Sequence, residues 1–93
     1  MELVWMPRAE QARNDSIEYV LADNPMAAWD QMDEIDRQLH ILMQHPHAGR
    51  RGRVSGTREF VITRTPYIAV YVVMLRVRRI NIVAFLHGSQ AWP

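Results

Sequence analysis

The apolar residues of this chain change their spacing near residue 45, and this change limits the folds it can adopt. Before it, five apolar residues recur at intervals of four and three: Ala28, Met32, Ile35, Leu39 and Leu42. This spacing predicts an amphipathic helix with one buried face. After it, runs rich in β-branched and aromatic residues cover 57–63, 67–75 and 79–87, which predicts strands. The chain is therefore expected to combine helices with a sheet.

Asn24 and Pro25 separate two predicted helices. Asparagine is a favoured N-cap and proline suits the first helical position, so a second helix should begin here after a first helix over 8–23. A short strand at 3–6, which Pro7 ends, should precede them, and the run 67–75 is apolar on both faces, as in a central strand covered by helices on one side. We predict one α+β domain over 1–93 with the order β-α-α-β-β-β, a helix hairpin packed on a small, mainly antiparallel sheet.

Charge is divided between the two halves of the chain. Residues 1–49 carry nine acidic residues and three arginines, a net charge of −6, whereas residues 50–93 carry eight arginines and Glu59, a net charge of +7. All basic residues are arginine, whose guanidinium can contact phosphate or carboxylate at two points. We expect the second half to bind a nucleic acid or an acidic partner. A solvated surface in a chain from an arginine-rich genome is the alternative.

The composition disfavours several classes of function. Without cysteine there is no disulfide or thiolate chemistry. No apolar run approaches the roughly 20 residues that span a bilayer, and the N-terminus lacks the pattern of a secretory signal. His40, His45 and His47 have no acidic or cysteine ligands at matching spacing. We expect a soluble cytoplasmic protein without membrane contact, metal site or cofactor.

Glycine and arginine are interleaved over residues 49–59. Glycine lets the backbone come close to a ligand, and several guanidiniums in a bend can surround a phosphodiester. The predicted nucleic-acid contacts are five arginines: Arg50, Arg51, Arg53, Arg64 and Arg78.

Five segments of the chain form a recognisable set. They read NPMAA at 24–28, HP at 45–46 with GR at 49–50, GRVSGTREFVI at 52–62, PYI and VY within 66–71, and LHGSQAWP at 86–93. In this order and spacing they resemble the RelE/ParE family of bacterial type II toxins, and within it the plasmid-stabilisation subgroup. The resemblance implies the RelE/ParE toxin fold. It also implies a co-expressed antitoxin that wraps around the toxin, for which we predict an acidic, partly disordered C-terminal segment.

The resemblance allows two kinds of target. RelE-like members bind the ribosomal A site and cut messenger RNA, whereas ParE-like members poison DNA gyrase without chemistry of their own. Ribosome-dependent mRNA cleavage is the leading hypothesis from the sequence. Gyrase inhibition, in which the helix hairpin and the C-terminal tail bind the partner, is the alternative. A third hypothesis is a toxin that has lost its activity and persists as an antitoxin-binding module.

RNA cleavage needs a base for the 2′-OH proton, an acid for the leaving oxygen and cations for the phosphorane charge. The predicted catalytic residues are His87 as acid or base, Arg58 on the phosphate, and Tyr71 (or Tyr67) for proton transfer or base stacking. Structural alternatives exist for each. His87 could cap its strand, Arg58 could form an ion pair with Glu59, and the tyrosines could lie in the core.

Ala84 departs from the family pattern. Relatives usually carry an arginine there, and in the RelE branch that arginine helps to stabilise the cleavage transition state. Losing one such donor costs about 2.7–4 kcal/mol in other enzymes. Either this chain is a natural member with weakened or different activity, or alanine was introduced so that a lethal toxin could be expressed. A genomic copy of the gene that encodes alanine would exclude the second explanation.

Overall fold

The computed structural model describes residues 1–93, which form two helices and five strands. In chain order these are β1 Glu2–Trp5, α1 Pro7–Asp23, α2 Pro25–Gln44, β2 Arg50–Arg51, β3 Arg58–Val61, β4 Tyr67–Met74 and β5 Arg79–His87. The predicted α+β arrangement is confirmed, with one strand more than predicted, since the short β2 lies in the segment expected to be a loop. No helix has the length and hydropathy needed to cross a bilayer.

The boundary between the helices lies where the sequence predicted it. The Asn24 side chain accepts a hydrogen bond from the backbone N–H of Ala27 at 3.1 Å, and Pro25 follows at the first helical position, where no N–H is needed. Pro7 has the same position in α1. At the other end of α2, the N–H of His45 donates to the carbonyl of Ile41 at 2.8 Å. The caps leave the two helices joined by one residue, as a hairpin.

The strand order in the sheet is β1-β5-β4-β3-β2. β1 pairs with β5 in parallel, and the other pairs are antiparallel, which confirms the mainly antiparallel sheet. β4 is central, and its residues from Tyr67 to Tyr71 are buried on both faces.

One extra residue in β5 changes which side chains face the helices. Val70 pairs with Ala84 and Tyr71 pairs with Ile82, which leaves Val83 without a partner. A bulge of this kind reverses the alternation of side chains along the strand. Ile82 and Phe85 therefore both belong to the core under the helices, while Ala84 lies on the opposite face of the sheet.

The sheet has an apolar cluster on each face. The larger one, under the helices, includes the buried residues Ala28, Ile35, Leu39, Leu42, Ile62, Tyr71, Ile80, Ile82 and Phe85. The smaller one, which we call the outer cluster, consists of Ile68, Val70, Ala84 and Leu86. Trp92 of the C-terminal tail packs against the outer cluster, so the tail covers part of that face.

One residue expected in the core is exposed instead. Met32, predicted to lie on the buried face of α2, is 46% exposed, and Trp29, one turn before it, is 64% exposed. The buried face of α2 contains fewer of the predicted apolar residues than expected. Ala28, Ile35, Leu39 and Leu42 are buried, and Met32 is not. Met32 and Trp29 lie beside this face, on the solvent side.

Candidate functional site

Tyr71 and Arg58, two of the three predicted catalytic residues, hold the loop that follows α2. The Tyr71 side chain is fully buried, and its hydroxyl accepts a hydrogen bond from the N–H of Gly49 at 2.9 Å and donates one to the carbonyl of Pro46 at 2.8 Å. Nη1 of Arg58 donates to the carbonyl of Gly49 at 2.8 Å. Burial raises the pKa of the Tyr71 hydroxyl, and the Gly49 N–H partly opposes this shift. The Tyr71 hydroxyl is fully hydrogen-bonded to backbone groups, whereas Arg58 uses one of its guanidinium nitrogens in this way.

Gly49 lies at the centre of this arrangement, where a larger residue does not fit. A Cβ at this position would lie 2.7 Å from the ring and the hydroxyl oxygen of Tyr71 and 2.9 Å from the backbone carbonyl oxygen of Glu59. Contacts this short require the backbone to move, because the space is filled on both sides. The glycine of the GR motif at 49–50 thus has a packing role.

Glu59, the one acidic residue of the arginine-rich half, is 1% exposed. Its carboxylate accepts hydrogen bonds from the backbone N–H of Arg53 at 2.9 Å, from Nε and Nη2 of Arg53 at 3.1 Å, and from Nη2 of Arg50 at 3.1 Å. The Arg53 side chain, followed by its backbone N–H and by Arg50, lowers the pKa of Glu59 to about 2 against the cost of burial. We call Glu59, Arg50 and Arg53 the carboxylate cluster.

The carboxylate cluster changes the charge of the predicted nucleic-acid surface. Arg50 and Arg53 were both expected to contact phosphate, yet both hydrogen-bond to the same buried carboxylate. The alternative in which Arg58 pairs with Glu59 is wrong. The two are adjacent in β3 and point to opposite faces of the sheet, where Arg58 lies across from Tyr71.

His87, the third predicted catalytic residue, is exposed at the end of β5 and lies opposite Tyr67. Its Nδ1 is 2.9 Å from Oγ of Ser89, and its ring meets that of Tyr67 edge-on with centroids 6.4 Å apart. Tyr67 and Tyr71 are four residues apart in β4, a distance of about 13 Å at the rise of a strand. The structure therefore does not bring His87 together with the other two residues, and their shared catalytic role stays a prediction.

Ala84 lies in the outer cluster and is 8% exposed. Its neighbours there are apolar, and the indole of Trp92 packs against the same cluster. A depression of about 260 Å³ between β5 and the tail is lined by Ala84, Leu86 and Trp92 among others. A long charged side chain at position 84 would have to share this depression with the tail and with Arg8, which also lines it.

The remaining predicted arginines lie in turns and at the edge of the sheet. Arg64 and Arg78 have positive φ angles of 66° and 51°, the left-handed region that glycine prefers. Arg64 is 3.4 Å from a Glu34 oxygen, whereas Arg78 has no carboxylate within ion-pair distance. Arg51 is also without an ion pair, and it lies opposite Arg58 across the β2–β3 pair.

The helix hairpin carries an exposed apolar surface that the sequence did not predict. Met26, Trp29 and Met32 follow one another at intervals of three residues in α2 and are 46% to 71% exposed. We call them the α2 stripe. Beside it, a groove of about 350 Å³ between the helices is lined by Ile17, Met32 and Ile35 together with charged residues. Their regular spacing was visible in the sequence, but their exposure depended on how α2 is rotated.

The sequence also missed the importance of Glu59 and Gly49. The signal for Glu59 was its isolation, as a single acid among eight arginines. The structure contains no group of three or more His, Cys, Asp or Glu side chains that could hold a metal ion.

Known proteins are similar to this chain over most of its length. The family model described as "ParE toxin of type II toxin-antitoxin system, parDE" matches residues 3–92. A Sinorhizobium fredii protein, Y4kP, itself named only as a candidate toxin, is 33% identical over 89 residues, which covers 96% of this chain and 90% of the relative.

Two solved structures share the arrangement of helices and strands. The chromosomal ParDE system of P. aeruginosa gives a TM-score of 0.80 at 23% identity and covers 94% of this chain and 95% of the other. The YoeB/ParE toxin from Agrobacterium tumefaciens gives 0.61 at 19% identity, with 94% and 98% covered. At these identities the two structures confirm the fold alone.

The family match agrees with the RelE/ParE resemblance that the sequence motifs carried. It extends over nearly the whole chain, from β1 to Trp92. It includes both segments on which the resemblance rests most, the GRVSGTRE run and the LHGSQAW tail. This chain therefore belongs to the ParE toxin family of type II toxin-antitoxin systems.

Proposed function

We propose that this toxin acts by binding DNA gyrase and does not cleave RNA. The observation that supports this most is that the Tyr71 hydroxyl is buried and hydrogen-bonded to the backbone of residues 46 and 49. A hydroxyl that is buried and fully hydrogen-bonded has no access to substrate. His87 lies too far along the sheet to replace it, about four strand residues away. The sequence had favoured mRNA cleavage, and the geometry favours the alternative.

The outer face of the sheet gives a second reason. Cleavage needs preorganised cations around the phosphorane, but position 84 lies within an apolar cluster. The Trp92 indole packs against the same cluster. Ala84 thus fits its surroundings, which supports the explanation that this chain is a natural member of the family with a different activity.

The α2 stripe is the surface that we assign to the target. Tryptophan and methionine are enriched in the centres of protein interfaces, and exposed tryptophans often dominate binding energy. Trp29 lies between Met26 and Met32 with 64% of its surface exposed. The hairpin around it is acidic, so the complementary surface of gyrase should be basic.

Membership of this family implies a cognate antitoxin. We propose that an acidic segment of the antitoxin binds the arginine-rich second half of the chain, whose net charge is +7. The acidic hairpin would repel such a segment. Antitoxin and target would then occupy different surfaces of the toxin.

Ribosome-dependent mRNA cleavage is the second candidate and has one supporting observation. The His87 side chain is exposed, and only one of its ring nitrogens has a hydrogen-bond partner, Ser89. An exposed imidazole is a side chain that can serve as a general acid or base.

Parallel assays of one protein preparation distinguish the candidates. We expect the toxin to inhibit supercoiling of relaxed plasmid by purified DNA gyrase, and to produce no new mRNA 5′ ends in cell-free translation followed by primer extension. Trp29→Ala should raise the inhibitory concentration about tenfold. Ile41→Ala is the matched control, because Ile41 is exposed on the same helix but about 120° away around its axis. It should change inhibition less than about twofold.

Ala84→Arg tests the other candidate in the same experiment. If position 84 had been changed to disable a nuclease, this variant would restore cuts within codons. We expect none, because the Tyr71 hydroxyl remains buried and hydrogen-bonded to the loop after α2. Cuts by either protein would establish RNA cleavage and refute the proposal. Failure of both activities in a protein that still binds its antitoxin would favour the inactive binding module.

A further inference from the structure

The turn between β2 and β3 carries two pairs of arginine on opposite sides of the sheet. Arg50 lies opposite Glu59, and Arg51 lies opposite Arg58. Neighbouring residues of a strand point to opposite faces of the sheet. Arg50 therefore lies on the face that carries Glu59 and the rest of the carboxylate cluster. Arg51 and Arg58 lie on the other side and line a depression of about 360 Å³, together with residues 52 and 54–57. We call this depression the turn pocket.

The arginines of the turn pocket have no acidic partner. No carboxylate lies within 4.0 Å of either guanidinium, since Glu59, the one acid nearby, is bound to the other pair. Arg58 uses Nη1 on the carbonyl of Gly49 and keeps its other N–H groups free. Two arginines without a carboxylate partner therefore line the same depression and make it positively charged.

The backbone of the turn adds further donors. The N–H groups of Val54, Ser55 and Gly56 make no hydrogen bond within the chain, and neither does the Ser55 hydroxyl. Gly56 has a φ of 82°, and consecutive free N–H groups in such turns form concave anion sites. The turn is closed by hydrogen bonds from Gly52 to the carbonyl of Thr57, at 2.8 Å, and from Thr57 to Val54, at 3.2 Å. The donors are thus held in place before any ligand binds.

We propose that the turn pocket binds a phosphate group of a nucleic-acid backbone. A carboxylate has about four acceptor sites, and the four N–H donors of the carboxylate cluster already fill those of Glu59. The residues that line the turn pocket carry two guanidiniums, a hydroxyl and three amides without partners, a larger set that suits a tetrahedral oxyanion better. The inference does not depend on the proposed target, because it requires only the toxin and a nucleic acid. It also narrows the sequence prediction, since Arg51 and Arg58 replace Arg50 and Arg53 as the phosphate contacts.

Neighbouring arginines provide a matched pair of variants. Arg51→Gln and Arg50→Gln remove the same charge from adjacent exposed positions, so a general loss of positive potential would affect both equally. Binding of a short, fluorescently labelled single-stranded DNA is measured by anisotropy between about 50 and 200 mM salt. We expect Arg51→Gln to weaken binding about tenfold and to lower the slope of log K against log salt by about 0.7. Arg50→Gln should stay within about twofold of the unchanged protein.

A second measurement locates the site without any variant. In a titration of the ¹⁵N-labelled toxin with inorganic phosphate, the amide signals of Ser55 and Gly56 should shift in a saturable way, and those around Glu59 should not. Equal losses in Arg50→Gln and Arg51→Gln, or no change in the turn amides, would overturn the site. Tighter binding of an acidic peptide than of DNA at equal salt would overturn the assignment to phosphate. Gyrase inhibition is read separately, so its failure would leave this result unaffected.

Discussion

Replacing Glu59 with glutamine should lower the free energy of unfolding at neutral pH by about 3 kcal/mol. The carboxylate is almost fully buried and accepts hydrogen bonds from Arg53 and Arg50. Glutamine offers one acceptor oxygen and an NH₂ group that would face a guanidinium. Removing one member of a buried ion pair costs about 3–5 kcal/mol, and the value here should be at the lower end, because both arginines are half-exposed. Urea unfolding of both proteins measures the difference.

The same residue should make the protein sensitive to acid. The pKa of Glu59 is about 2 in the folded protein and 4.5 in the unfolded reference. A lowered folded pKa gives stability that is complete above pH 4.5 and is lost as pH falls toward 2. The gap between wild type and Glu59→Gln should therefore narrow across this window. Glu2→Gln, which changes an exposed carboxylate paired with Arg79, should unfold close to wild type at neutral pH. An equal effect of both variants would mean that the carboxylate cluster has no special role.

Tyr71→Phe should also destabilise the protein, by about 2 kcal/mol. The change leaves the N–H of Gly49 and the carbonyl of Pro46 without their partner, and the first of these is buried. We expect lower stability in urea unfolding and faster hydrogen exchange of the Gly49 amide. A purely catalytic role for the hydroxyl predicts the opposite, an unchanged stability with loss of activity.

Tyr67→Phe is the matched control for this variant. Tyr67 lies four residues away on the same strand, and its hydroxyl makes one hydrogen bond, to the Gln31 side chain at 3.0 Å. Gln31 is partly exposed and can bind water instead. The cost of this change should be about 1 kcal/mol or less. If Tyr67→Phe destabilised the protein as much as Tyr71→Phe, the loop after α2 would not depend on Tyr71.

The elements of this fold could be predicted because each has a strong local signal. Asn24 and Pro25 fix the helix boundary through a cap and a residue without an N–H. The two-sided apolar run of β4 indicated a central strand. Local signals did not reveal β2, because a strand of two residues depends on its partner β3 and has no pattern of its own. The bulge at Val83 also arises from pairing, and it alone decides that Ala84 faces away from the helices.

The site was harder to predict than the fold, because its residues act through contacts between distant segments. Tyr71 and Arg58 have the side chains that nucleic-acid chemistry uses, and nothing local shows that Gly49 lies within hydrogen-bond distance of both. Likewise, the arginines at 50, 51, 53 and 58 show that this segment is strongly positive. Which of them remain available depends on the face that the single carboxylate of Glu59 occupies.

The parallel pairing of β1 with β5 has a consequence for the timing of activity. Glu2 in β1 and Arg79 in β5 form an ion pair although they are 77 residues apart. β1 is synthesised first, and its partner strand β5 exists only after most of the chain has been made. Closing so long a loop is slow compared with forming the helix hairpin. During synthesis the hairpin is therefore available before the sheet is finished. The α2 stripe, to which we assign target binding, forms with the hairpin and so precedes the arginine-rich part of the sheet, to which we assign the antitoxin.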